Sequence, residues 1–301
     1  IYILIPFILV PQLLLSGTIV KFEKLHKSIT HEVFVPIVGD LMTSRWAYEG
    51  MAVYQFKNNK YQKNFFDIDM RKSNAGFKTN FLIPELRQKI NKIEKNFEKK
   101  KKENKEETER YLRIVRNEFD LLKKDKNIPA FSKYDELNMK SFSPETAEAA
   151  LKYLKAINQE FKDRYNKAVR EKDQKIKDLI KEQDGDENAL HEMRQKYYDE
   201  NLADLVLNKT ELKKIRETEN RVMQTMDPIY KMPESNYGRA HFFAPFKIIG
   251  NIKIDTYWFN AMIIWLTTIF MYIILLLDGI RKLIDLSGKI KVKGLFGKKK
   301  E

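Results

Sequence analysis

TYWFNAMIIWLTTIFMYIILLL, residues 256–277, decides the fold class, because it runs for 22 positions without a charged side chain. At roughly 1.5 Å per residue, a helix of that length spans about 33 Å, close to the hydrocarbon thickness of a bilayer. Asp255 and Asp278 bound the run, and Tyr257, Trp258 and Tyr272 suit the membrane interface. The stretch therefore predicts a last transmembrane helix over residues 256–278.

On its C-terminal side lies GIRKLIDLSGKIKVKGLFGKKKE, residues 279–301, with eight Lys or Arg against two acids. A short, strongly basic flank stays in the cytoplasm. Lipid headgroups are its nearest partner, and nucleic acid is not predicted. On the other side, IYILIPFILVPQLLLSGTIV, residues 1–20, is also charge-free, but Pro6 and Pro11 interrupt it. Proline inside a helix frees a backbone carbonyl, which a membrane helix tolerates when neighbouring helices satisfy it. Residues 1–20 thus read as a penultimate span packed in a bundle; an apolar strand of a soluble domain is the competing reading. The chain opens at Ile1 inside this run, without the basic n-region of a signal peptide. We read it as starting partway through a larger membrane protein, with processing after an upstream site as the alternative. Two spans and a cytoplasmic tail place residues 57–255 outside the cytoplasm.

The chain of 301 residues is 33% charged, carries a net charge of +14 and has no cysteine, and nearly all the charge lies outside the two apolar runs. The lack of cysteine excludes a disulfide framework, thiolate metal sites and a cysteine nucleophile. From about residue 81 to 225, apolar residues recur at spacings of three and four. Leu86, Ile90, Ile93 and Phe97 form one stripe, which Val115, Phe119 and Leu122 continue after the polar break KNFEKKKKENKEETER. A second stripe runs through Ala147, Leu151, Leu154, Ile157, Phe161, Tyr165 and Ala168, opening at Ser143-Pro144 with a cap residue and a first-turn proline. A third passes through Leu190, Met193 and Tyr197 to Leu212 and Ile215, after a turn at QDGDEN around Gly185. Long amphipathic helices follow, as a helical hairpin or coiled-coil module. Its charge reads as a solvated surface or, more sharply, as a docking face for an extracytoplasmic partner.

No enzyme site is legible. KGLFGKKK around Gly294, Gly297 and Lys298 lacks phosphate-loop spacing and no strand precedes it, and no HExxH or GxSxG occurs. His26, His31, His191 and His241 are scattered, and exposed carboxylates are better explained by ion pairs one helical turn apart.

One segment mixes what is usually kept apart. TSRWAYEGMAVYQF, residues 43–56, sets Arg45 and Glu49 among Trp46, Tyr48, Met51, Val53, Tyr54 and Phe56. On a helix Arg45 and Glu49 share a face, and at membrane depth such charges are tolerable as a pair. The segment reads as an interfacial amphipathic helix or as a re-entrant helix, over residues 36–56.

The order of these pieces, PQLLLSGTIVKF, then IVGDLMTSRWAYEGMAVYQFKNN, then a final span and a basic tail, resembles the end of the membrane domain of ABC-2-type permeases. Within these it resembles the G-subfamily (white/pigment-type) ABC transporters. The family's aromatic–small–aromatic–Glu pattern falls on Arg45-Trp46-Ala47-Tyr48-Glu49-Gly50, and its closing polar–aromatic pair falls near Gln55-Phe56. The resemblance covers roughly residues 1–60 and 250–301. Residues 57–255 greatly exceed the usual external loop, and a bacterial relative with an enlarged extracytoplasmic domain accounts for both that length and the missing cysteines.

The resemblance implies an exporter working as a homo- or heterodimer of transporter halves in a bacterial inner (cytoplasmic) membrane. ATP and Mg would bind a nucleotide-binding domain upstream or in trans, and this chain would hold no cofactor, metal or catalytic residue. Pro6, Pro11, Gln12 and Ser16 are then candidates for the translocation path, where helices break near the midplane. Arg45 and Glu49 would be an ion pair of the re-entrant helix, with Trp46, Tyr48 and Phe56 as its aromatics. The expected architecture is all-α: two transmembrane helices, a re-entrant or interfacial helix, and an extracytoplasmic helical module offering a face to a protein partner. The alternative is an envelope scaffold, two spans displaying a helical rod for protein contacts.

Overall fold

A computed structural model describes residues 4–26, 30–98, 105–183 and 185–278. The basic tail of residues 279–301 and residues 99–104 of the KNFEKKKKENKEETER break lie outside these. The chain is mostly helical.

Helix α1, Leu4–Leu14, contains Pro11 and ends before a turn at residues 15–20. At 11 residues it measures about 16 Å, so its described part falls short of a bilayer's hydrocarbon core. The single turn α2, Ile37–Asp40, leads into α3, Thr43–Asn58, so the segment expected at 36–56 is two helices with a break at Leu41-Met42.

The module begins with α4, Phe66–Phe77, which passes through a π-helical turn, Lys78–Leu82, into α5, Ile83–Glu98. Helix α6, Lys105–Lys123, and the 38-residue α7, Pro144–Lys181, pack against this rod. Their apolar stripes form the main core: Leu86, Ile90 and Ile93 of α5 meet Val115 and Phe119 of α6 and Leu154, Ile157 and Phe161 of α7. Helix α7 runs antiparallel to the rod, since its Lys172 pairs with Asp69 while Phe161 lies under Lys78. Ser143 caps α7, its Oγ accepting from Thr146 N–H at 3.2 Å, with Pro144 in the first turn.

The third stripe does not continue as one helix. Helices α8, Glu187–Tyr197, and α9, Glu200–Val206, are short and separated where Asp199 caps the second. Leu212 is 92% exposed. Ile215 belongs to a strand, because the backbone there pairs with another segment rather than coiling. The structure corrects the all-α expectation with two antiparallel ribbons, β1 (Ile215–Glu217) with β2 (Val222–Gln224) and β3 (Phe246–Ile249) with β4 (Ile252–Asp255). The first lies on the module, where Glu118 of α6 accepts from Val222 N–H at 3.0 Å and Lys89 and Arg110 pair with Glu217. The second closes through Gly250-Asn251, a two-residue turn whose first position has φ 59°, which glycine adopts freely.

Strand β4 runs directly into α10, Thr256–Leu276, capped by Asp255, whose carboxylate accepts from Tyr257 N–H at 3.1 Å. Among the described residues, α10 is the one helix long and apolar enough to cross a membrane by length and composition. Thr256, Phe259 and Asn260 near its start are buried, whereas Trp265, Phe270, Leu275 and Leu276 beyond them are exposed. A second core joins α3 to the module, with Val53 and Phe56 packed on Phe66, Val206, Ile229 and Tyr230.

Candidate functional site, a buried charge network

Helix α3 lies antiparallel along the first turns of α10. Tyr54 meets Tyr257 with ring centroids 4.7 Å apart, and Trp46 meets Phe259 at 6.1 Å. Gly50 lets the helices close up: a Cβ there would stand 3.4 Å from Asn260 Cβ and 3.8 Å from Tyr257 Cα.

Around this contact the chain buries charge. Arg45 is 2% exposed, Lys247 1% and Glu49 wholly buried. Glu49 accepts four hydrogen bonds. Oε1 takes Lys247 Nζ at 2.8 Å and Phe243 N–H at 3.1 Å. Oε2 takes Arg45 Nη1 at 2.9 Å and Asn260 Nδ2 at 3.0 Å. The same Asn260 amide also donates to the Trp46 carbonyl at 2.9 Å, so both of its bonds run to acceptors and fix its orientation.

Arg45 reaches Asp40 with its other terminal nitrogen, and its guanidinium stacks 3.6 Å from the Trp46 ring centroid. Trp46 in turn donates to the Asp40 carbonyl at 2.8 Å. Arg239 adds a third cation, 3.1 Å from the second oxygen of Asp40. Burial pushes the Lys247 amine below its usual range, while the Glu49 charge pulls the other way. A carboxylate satisfied from four sides and flanked by two buried cations is a clamp on geometry. Removing one partner strands the others, at a cost of about 3–5 kcal/mol.

Of the translocation-path candidates, Gln12 touches this assembly. Its side-chain oxygen accepts from Ser44 N–H at 3.2 Å and its carbonyl from Ser44 Oγ at 2.9 Å, so α1 caps the start of α3. Ser16 is buried in the turn after α1, bonding the Leu13 carbonyl at 2.9 Å and Thr18 at 2.6 Å. Pro11 is half-buried and Pro6 exposed. Tyr48 is half-buried against Phe242 and Phe243, and Phe56 sits in the second core, contacting Phe66, Tyr198 and Tyr230.

The network's other members were missed by sequence reading. Asp40 lies outside the quoted 43–56 stretch, and Lys247 lies some two hundred residues away on a strand that periodicity did not suggest. Asn260 did leave a signal, as an amide near the start of an otherwise apolar run. The histidines serve structure: His31 Nδ1 accepts from Val33 and Phe34 N–H at 3.1 and 3.2 Å, and His241 Nε2 donates to the Pro228 carbonyl at 2.8 Å. No group of three or more His, Cys, Asp or Glu suited to a metal occurs among the described residues.

Comparison of the chain with known protein families, characterised proteins and solved structures finds no match.

Proposed function

We propose that the chain is the C-terminal part of the transmembrane domain of an ATP-driven ABC-2-type transporter, an exporter of the G-subfamily type. ATP and Mg bind a nucleotide-binding domain outside residues 1–301, and two such halves form the working dimer. In this reading α1 belongs to the penultimate span, α3 is a re-entrant helix entering from the extracytoplasmic side, and α10 is the last span. Residues 57–255 stand outside the cytoplasm of a bacterial inner membrane, and the tail stays within.

The observation that carries the reading is how α3 is held. Helix α3 lies between Gln12 of α1 and Asn260 of α10, and its two internal charges are fully paired. Such pairing is what a polar helix at the membrane boundary requires. The test has two arms. In intact cells an impermeant maleimide should label Lys155→Cys and leave Lys293→Cys unlabelled. The complete protein, purified with its partners from membranes, should hydrolyse ATP in a vanadate-sensitive way. Labelling of Lys293→Cys from outside would overturn the topology and the family placement together. A correct topology with no associated ATPase would leave the scaffold alternative instead.

A further inference from the structure

The module carries a cavity of about 780 Å³ where α4, α6 and α7 meet the β1–β2 ribbon and the turn at residues 231–234. That volume falls within the usual range of small-molecule sites. Its floor is apolar, with Phe77, Leu82, Leu122, Phe161 and Met223 all buried and all lining it. Seven Lys or Arg line it against three carboxylates, a surplus of four positive charges.

Those three carboxylates are already engaged. Asp125 pairs with Arg164, Glu234 pairs with Arg221 and Lys231, and Glu118 accepts the Val222 N–H. Lys78 is left over. It opens the π-helical turn that interrupts the α4–α5 rod, a distortion frequent at functional sites. Its amine stands 4.5 Å from the Phe161 ring centroid and pairs with no described carboxylate within 4 Å. Burial pushes that amine below the usual lysine range; the Asp125 charge opposes the shift, but Asp125 is committed to Arg164. An amine without a counterion, above an apolar floor and inside a net positive rim, suits an anion that brings its own apolar surface. A hydrophilic anion would leave the floor unused.

We propose that this cavity binds a fatty acid, its carboxylate at Lys78 and its acyl chain on the floor formed by Phe77, Phe161 and Met223. The proposal does not depend on the transporter reading, which assigns no role to residues 57–255.

The full chain in nanodiscs of phosphatidylcholine can be photolabelled with a palmitate analogue carrying a diazirine in its tail. Adducts are then mapped by peptide mass spectrometry, with α10 as an internal reference labelled from the bilayer. Adducts should appear on the peptides bearing Phe161 and Met223. Unlabelled palmitate should remove them, whereas hexadecanol, acetate and an acidic peptide should not. Lys78→Glu should lower the cavity adduct about tenfold, as expected for losing a charge-assisted bond. Lys78→Arg should keep it, and the exposed control Lys155→Glu should leave it unchanged, with α10 labelling constant throughout. The proposal is overturned by labelling confined to α10, by an undiminished adduct in Lys78→Glu, or by equal competition from hexadecanol, acetate or the peptide.

Discussion

Between α5, α6 and α7 the contact is made by apolar side chains at helical spacing, with Leu86, Ile90, Ile93, Ile114, Val115 and Leu154 buried. Between α3 and α10 the centre of the contact is Arg45, Glu49, Lys247 and Asn260, all buried and all hydrogen-bonded to one carboxylate or its neighbours. An apolar core tolerates loss of one member by partial collapse, because its contacts are many and non-directional. A charge network cannot collapse, because each remaining ion is left in a medium that does not solvate it. The module is thus built for bulk stability, and the α3–α10 joint for a fixed register.

The largest effect should come from Glu49→Ala, which leaves Arg45 and Lys247 buried without their shared counter-ion. We expect a loss of about 3–5 kcal/mol, read as a fall in thermal stability in detergent, with hydrogen exchange rising first in α3, β3 and the start of α10. Leu154→Ala should remove about 2–5 kcal/mol from the other region. Its exchange increase should fall in α5–α7 and spare α3. If both variants loosen the whole chain alike, the two regions are one cooperative unit and the contrast between them fails.

A pH scan separates them further. Burial, aided by the Lys231 charge, holds His241 well below the usual imidazole value. The unfolded chain therefore takes up a proton more readily than the folded one. The stability His241 contributes is complete above pH about 6.5 and is lost as pH falls below it, at up to about 1.4 kcal/mol per pH unit. His241→Gln should flatten that slope around α3 and leave the module's profile unchanged. Smallest of all, Ser143→Ala should cost about 1 kcal/mol by uncapping α7, seen as fraying at its start alone.

Legibility in the sequence differed in the same way. The stripes of α5, α6 and α7 announce themselves because packing on one face imposes a local period, and Ser143-Pro144 marks where α7 begins. The i,i+4 placement of Arg45 and Glu49 was likewise local. Lys247 was not, since no local rule links a lysine on a strand to a glutamate on a helix far upstream. The ribbons were missed for another reason. FKII and IKID flank Gly250-Asn251, a hairpin signal present in the sequence but overshadowed by the apolar run that follows. Ile215 was absorbed into a helical stripe because a three-residue strand is too short to show alternation.

The most direct test of the joint uses the chain's own lack of cysteine. In Gly50→Cys/Tyr257→Cys a Cβ at position 50 would stand 3.8 Å from the Cα of position 257, within reach of a disulfide, and neither residue bonds to Glu49. Oxidation of the chain in freshly lysed cells should give near-complete crosslinking within one chain, seen as a mobility shift that reductant reverses. Failure to crosslink, or crosslinking only between chains, would contradict the account of α3 as a helix clamped to the root of α10.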